Sequence, residues 1–265
     1  MLRVENHSVS GSDVAVSIVA YRHSREEIAG LLHSLSRTQL SIQVTLVDNS
    51  ETPDLRTIVE AAGARYLHVP ENVGFGAGHN LAMRETLSRT KYQAVINPDI
   101  SFDSDVLQAL YDFMELRHDV GQVMPAVYRA DGTEQLLAKR LPTPFDLFPR
   151  RFFGVFGKKV FSRHWDRYET RDLDLSVPRE IPCLSGCFMF LRSSVLQQVG
   201  LFDERFFLYT EDFDLCRGIG SASKTVLNPE IAVTHGYPKG SYKNFAVAAS
   251  SPVSNSLFSK MGVLQ

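Results

Sequence analysis

The sequence predicts an α/β protein with a central, mostly parallel, doubly wound sheet flanked by helices. Three observations predict it. Short apolar runs rich in β-branched residues alternate with amphipathic stretches over residues 14–128. Capping and turn residues stand between them, where the chain must reverse. Polar residues, Tyr21, Asp48, Asn49, Asn97 and Asp99, fall at the carboxyl ends of the apolar runs, where such sheets bind ligands.

"VAVSIVAY" (14–21) is the first buried strand. Ser24 and Glu27 then form a Ser-x-x-Glu capping box, and Ile28, Leu31, Leu32 and Leu35 follow on one helical face. "QVTLVDN" (43–49) is the second strand. Thr52 is expected to cap the next helix with Pro53 at its first position; Leu55, Ile58, Val59 and Ala62 form its stripe and Gly63 ends it. "RYLHV" (65–69) is the third strand. "NVGFGAGHN" (72–80) reads as a glycine-rich loop before a helix through "LAMRETLSR". "QAVIN" (93–97) and "GQVMPAVY" (121–128) are strands four and five, separated by a helix over 104–116 that buries Val106, Leu107, Leu110, Phe113 and Met114. Periodicity fails from about 129 to 180, a stretch with Pro142, Pro144 and Pro149 that reads as an insertion. Order returns with a strand in "PCLSGCFMFLR" (182–192), a short helix from Ser193 or Ser194 to Val199 ended by Gly200, and an acidic helix over 211–217. Strands near 224–227 and 231–235 follow, then a short C-terminal helix in "SPVSNSLFSKMGV".

The totals remove several classes of function. The chain has 265 residues, 44% hydrophobic and 22% charged, enough for a substantial core. A net charge of −2 gives no global field toward nucleic acid or membrane. Three cysteines, Cys183, Cys187 and Cys216, with no Cys-x-x-Cys, argue for buried thiols in a reducing cytoplasm rather than a disulfide framework. No apolar run approaches the roughly 20 residues of a transmembrane helix, and the polar N-terminus is expected to be a lead-in rather than a secretory signal.

Four constellations carry chemistry, each beside a bland alternative. Gly74, Gly76 and Gly78 can bring backbone close to a phosphate, or can simply shape a strand-to-helix turn; the spacing is not the Gly-x-Gly-x-x-Gly of a dinucleotide site. Asp99 in "INPDI" is a turn acid or a carboxylate for Mg²⁺ or Mn²⁺. Glu211, Asp212 and Asp214 in "LYTEDFDLC" complement a helix dipole or supply a general base. His235 is a packing residue or completes a divalent metal's shell.

The ordered set "LVDNS", "ENVGFGAGHN", "INPDI", "LSGCFMFLR", "GLFDERFFLYTEDFDLC" and the later His resembles the inverting family 2 glycosyltransferases of the GT-A fold, closest to the rhamnosyltransferase-like branch that builds bacterial surface polysaccharides such as lipopolysaccharide. It covers roughly residues 14–128 and 181–262. The resemblance implies a single Rossmann-like GT-A domain over 1–265, with a nucleotide-binding half (14–128), a variable insertion (129–180) and an acceptor and catalytic half (181–265). It implies that Asp48 contacts the nucleotide base beside Tyr21, and that Asn72, Gly74, Gly78, Asn80 and Asn97 border the nucleotide-sugar. Asp99 would bind Mg²⁺ or Mn²⁺, His235 would assist the metal or the diphosphate, and Asp212, or else Glu211, would be the catalytic base. The favoured donor is dTDP-L-rhamnose and the acceptor a glycan or lipid-linked sugar. Arg217 stands one place earlier than the family's usual arginine.

Two other readings remain open: a nicotinamide-dependent oxidoreductase resting on the glycine loop, and a transferase-like module that binds without turnover. The segment 145–168 mixes Arg150, Arg151, Lys158, Lys159, Arg163 and Arg167 with aromatic residues. It is a packed basic helix or a surface that leans on anionic lipid at the inner face of the membrane. Nucleic acid is not expected as a partner.

Overall fold

The computed structural model describes residues 12–140, 168, 170 and 172–236. The described strands are β1 (Val14–Ala20), β2 (Ile42–Asp48), β3 (Arg65–His68), β4 (Tyr92–Ile96), β5 (Ile100–Ser101), β6 (Val120–Tyr128), β7 (Arg179–Glu180), β8 (Phe188–Arg192) and β9 (Lys224–His235). The described helices are α1 (Arg25–Leu35), α2 (Arg56–Ala61), α3 (Phe75–Thr86), α4 (Val106–Leu116), α5 (Ser193–Val199) and α6 (Glu211–Ala222).

The strands form one sheet in the order β3-β2-β1-β4-β8-β6-β9-β5, with β7 paired to β9. The expected parallel pairing holds across β3, β2, β1 and β4 and again between β6 and β9. β8 runs antiparallel between β4 and β6, so the second half of the sheet is mixed. β1 is buried along its whole length, as a strand covered on both faces must be. One face carries α1, α2 and α4 through Ile28, Leu31, Leu35, Val59, Leu107 and Leu110. The other carries α3, α5 and α6 through Met83, Leu196, Leu215 and Ile219.

Local sequence signals explain most boundaries. The capping box forms: Ser24 Oγ accepts from Glu27 N at 3.2 Å and Glu27 Oε2 accepts from Ser24 N at 2.8 Å. Gly63 (φ 82°) and Gly200 (φ 94°) terminate their helices in backbone regions open to glycine. Three expectations fail. The second helix begins at Arg56, because Thr52 bonds Asp54 and Pro53 accepts from Arg56 N within a turn. The predicted glycine loop is the start of α3: Gly74 is its N-cap, and Gly76 and Gly78 lie inside the helix. The two expected late strands are one, β9, whose register against β6 jumps between Asn228 and Ala232. The basic–aromatic stretch 145–168 (apart from residue 168) and the expected C-terminal helix fall outside the described residues.

Candidate active site

The carboxyl ends of β1, β2 and β4 open on one edge of the sheet, and each ends on polar residues. After β1, Tyr21 is partly exposed, with the Arg22 guanidinium 5.0 Å over its ring. At the end of β2, Asp48 is fully buried. Its Oδ2 accepts from the Tyr66 hydroxyl at 2.6 Å and its Oδ1 from Ser50 N at 3.0 Å. Burial and the Asp48 carboxylate together push the Tyr66 phenol well above its ordinary range. Asp48 thus stands behind Tyr66 and holds β2 to β3 at the carboxyl end of its strand.

The start of α3 is likewise committed to packing. A Cβ on Gly74 would lie 2.3 Å from the Phe207 carbonyl oxygen, and one on Gly78 would lie 2.9 Å from a Val19 methyl. The Phe75 amide already donates to that Phe207 oxygen at 3.1 Å. Asn80 brackets the segment before α6, donating to Phe202 O and Glu204 and accepting from Phe202 N. Gly74, Gly78 and Asn80 therefore each take part in closing the fold around the start of α3. Asn72 keeps a place at the rim, where its Oδ1 accepts from Asn49 Nδ2 and Gly74 N, both at 3.2 Å. Asn49, the next strand-end residue after Asp48, leaves its own Oδ1 buried without a partner among the described residues.

Asp99 and His235 meet. The Asn-Pro-Asp turn closes through Ile100 N donating to Asn97 O, and Ile100 then pairs with His235 in the β5–β9 ladder. Asn97 is half-buried, and its amide donates to Cys187 O at 2.9 Å. Asp99 Oδ1 lies 3.1 Å from His235 Nε2, both side chains mostly enclosed. The other ring nitrogen, Nδ1, lies 3.2 Å from Gln135 Oε1, while Gln135 Nε2 donates to the His235 carbonyl. An amide oxygen only accepts, so Nδ1 carries the proton. The Nε2 position then converges with a carboxylate oxygen, and that convergence requires a proton or a cation. Two cis ligands of an octahedral Mg²⁺ at its usual bond length are about 3.0 Å apart, so this pair fits one edge of such a shell. No cluster of three His, Cys, Asp or Glu side chains is present among the described residues. His23 sits close by: burial lowers it, against the opposing charges of Glu27, Asp99 and Asp48.

Glu211 and Asp212 open α6 behind two consecutive left-handed residues, Tyr209 (φ 68°) and Thr210 (φ 75°). Non-glycine residues there store strain, a feature that clusters at functional sites. Glu211 is 4% exposed, and its Oε2 has no partner among the described residues. Burial, and secondarily the charge of Asp212, push it up to about 8. Asp212 is half-buried; its Oδ2 accepts from Gly186 N at 3.1 Å and its Oδ1 from Phe213 N at 2.9 Å. Burial raises Asp212 as well, but these two bonds and the charge of Lys139 pull it back. Of the two carboxyls, Asp212 is the one that accepts two amide hydrogen bonds, which favour its charged form. Asp214 is taken by Arg217 at 2.8 Å, so that arginine, displaced by one place, serves its own helix.

Residues 186 and 187 join the two acidic corners. Gly186 donates to Asp212, and Cys187 accepts from Asn97. The charges of both Asp99 and Asp212 act on the Cys187 thiol, which burial pushes up to about 12. All three cysteines are free and buried, as the sequence implied. Gln135, Lys139, Gly186 and His23 were not legible as site residues; three of them lie in irregular segments without periodicity or motif.

A family model described as Glycosyl transferase family 2 matches residues 15–200. The N-acetylglucosaminyl-diphospho-decaprenol L-rhamnosyltransferase of Mycobacterium tuberculosis is 29% identical over 238 residues, covering 84% of this chain and 74% of its own. Rhamnosyltransferase WbbL of Escherichia coli K12 is 23% identical over 212 residues, 76% of this chain and 75% of its own. Among solved structures, GalNAc-T7 with UDP, GalNAc and Mn²⁺ superposes with a TM-score of 0.67 at 14% identity. That alignment covers 94% of this chain but spans only 48% of the larger protein.

Proposed function

We propose that this chain, which belongs to glycosyl transferase family 2, moves L-rhamnose from a nucleoside-diphosphate sugar to a lipid-linked glycan acceptor with inversion at the anomeric carbon. The observation that carries the reading is the pair of acidic corners, Asp99 with His235 and Glu211 with Asp212, tied together by residues 186 and 187. Two relatives named as rhamnosyltransferases support the sugar, with dTDP-L-rhamnose as the donor, and one of those names supports a polyprenyl-diphosphate acceptor.

In this reading Asp212 accepts the proton of the acceptor hydroxyl as that oxygen attacks the anomeric carbon. The new glycosidic bond forms while the bond from carbon to the diphosphate oxygen breaks, and the nucleoside diphosphate departs on the opposite face. Glu211 keeps its proton near neutrality, while the two amide hydrogen bonds on Asp212 favour the charged form of that carboxyl. Asp99 and His235 would hold Mg²⁺ or Mn²⁺, with Gln135 fixing the imidazole. A bound divalent ion supplies positive charge to the departing diphosphate. Tyr21, Asn72 and Asn97 remain at the open rim for the donor. No helix among the described residues is long and apolar enough to cross a membrane; a polyprenyl acceptor would be met at the inner membrane face, with 145–168 as the contact.

The test is a thermal-shift panel of dTDP, UDP, GDP and NAD, each with and without Mn²⁺. A metal-dependent rise in Tm with dTDP is expected. A shift with NAD alone, indifferent to metal, would overturn the transferase reading.

A further inference from the structure

We propose that Lys139 is a substrate-binding residue of this site, the cation that meets a phosphate group on the acceptor beside the base. The inference rests on the transferase reading for the identity of the anion, and on the fold for the position of the lysine.

After β6 the chain runs in an extended, irregular path, and Lys139 forms an isolated antiparallel bridge with Cys183. Lys139 N donates to Cys183 O at 2.8 Å and Cys183 N to Lys139 O at 3.1 Å. Residues directly opposed in an antiparallel pair send their side chains to the same face. The Cys183 side chain is buried, and the next residue packs against α6: Leu184 N donates to Cys216 Sγ at 3.4 Å. Cys216 lies one turn beyond Asp212 on the same helix. The Lys139 stem therefore leaves toward α6, and its charge reaches both Cys183 and Asp212.

Lys139 is half-buried, yet its ammonium makes no ion pair among the described residues. Its neighbour Arg140, by contrast, pairs with Asp172 at 2.7 Å. A lysine head usually reaches bulk water or a carboxylate; the Lys139 charge acts on the Asp212 carboxyl without forming an ion pair with it, so its donors are open to an anion.

The reaction geometry says which anion. In an inverting displacement the attacking oxygen and the leaving diphosphate occupy opposite faces of the anomeric carbon. The base stands on the attacking side, so a cation beside the base stands with the acceptor, while the donor's diphosphate departs toward Asp99 and His235. The acceptor class is then a sugar carrying a phosphate close to its reacting hydroxyl, as a sugar diphospho-lipid does.

The experiment uses the full chain and two acceptors: N-acetylglucosamine linked through a diphosphate to a short alkyl chain, and the same sugar on an alkyl chain without phosphate. K139Q is expected to lower kcat/KM for the diphosphate acceptor at least about tenfold more than for the phosphate-free one, the size of one charge-assisted hydrogen bond. K139R should restore most of that preference. Equal losses on both acceptors would overturn the proposal and leave Lys139 a positioning residue for Asp212. A tenfold weaker dTDP affinity in K139Q would overturn it in favour of the donor's diphosphate. Binding of a short alkyl diphosphate, read by thermal shift without donor, separates the two readings. A shift in the native chain that K139Q loses sustains the lysine even where no transfer is detected, an outcome that would sink the transferase reading alone. No shift in the native chain overturns the lysine's role.

Discussion

The two acidic corners are built by opposite means. Asp99 and His235 stand at the ends of strands, and their backbones are fixed by the β5–β9 ladder and by the Gly236 amide on Asp99 O at 2.9 Å. There a carboxylate faces an imidazole, a complementary pair whose ring is set by Gln135. Glu211 and Asp212 stand at the start of a helix, behind a strained turn, as two like charges in succession. Desolvation dominates that second corner and raises both carboxyls. In the proposed reading the difference separates two tasks. An arrangement that converges opposite partners is ready for a cation, whereas one that crowds like charges in a dry place is ready to hold and release a proton.

The sharpest way to break this comparison is to remove the base's charge. Asp212→Asn is expected to lower transfer about 10²–10⁴-fold, the usual worth of a positioned general base, while dTDP binding in the thermal-shift assay stays intact. Glu211→Gln should lose far less, because Glu211 already holds its proton near neutrality. Measured side by side, full activity in the Asp212 variant with a dead Glu211 variant would exchange their roles.

The same corner predicts how stability depends on pH. Glu211 sits at about 8 in the folded chain, against an ordinary value of 4.5. A carboxyl raised by folding makes the native state bind more protons than the unfolded one. Its contribution is fully present below about 4.5 and is lost as pH rises through about 8. Denaturant melts across that window should show falling stability, on the order of a few kcal/mol, and Glu211→Gln should flatten the fall. A stability that instead rises between those values would mean the Glu211 carboxyl is not desolvated as described.

The sequence made most of the sheet legible because burial on two faces leaves an unmistakable mark: β1, β2, β4 and β6 are apolar runs whose alternative is a helix too short to exist. The acids were legible as well, since Asp99 and Asp212 sit in local motifs at element boundaries. Two things were hidden. Gly76 and Gly78 read as a loop because helix propensity counts against glycine. Here close approach decides: a Cβ at Gly76 would sit 2.9 Å from Phe202 Cβ, and no larger residue fits between α3 and its neighbours. The other hidden part was Gln135 and Lys139, whose partners His235 and Cys183 stand 100 and 44 positions later, a pairing that no local periodicity records.

Gln135 gives the smallest effect and the finest probe of the contrast. It is 4% exposed, and its two hydrogen bonds go to the ring and the carbonyl of His235. Gln135→Met keeps the volume and removes the acceptor for Nδ1, so the imidazole is free to take the other tautomer and present a proton, rather than a lone pair, beside Asp99. Groups that orient a metal-ligating histidine through its second nitrogen typically contribute 10–100-fold in metal affinity. Because Asp99 is untouched, the lower end is expected: Mn²⁺ affinity, read by calorimetry in the presence of dTDP, should weaken about tenfold. The pH dependence of stability set by Glu211 should not move, since Gln135 touches only the other corner. If Mn²⁺ affinity is unchanged while that pH profile shifts, the two corners are coupled through 186–187 more tightly than their separate construction implies. His235 would then act on the base side rather than on a cation.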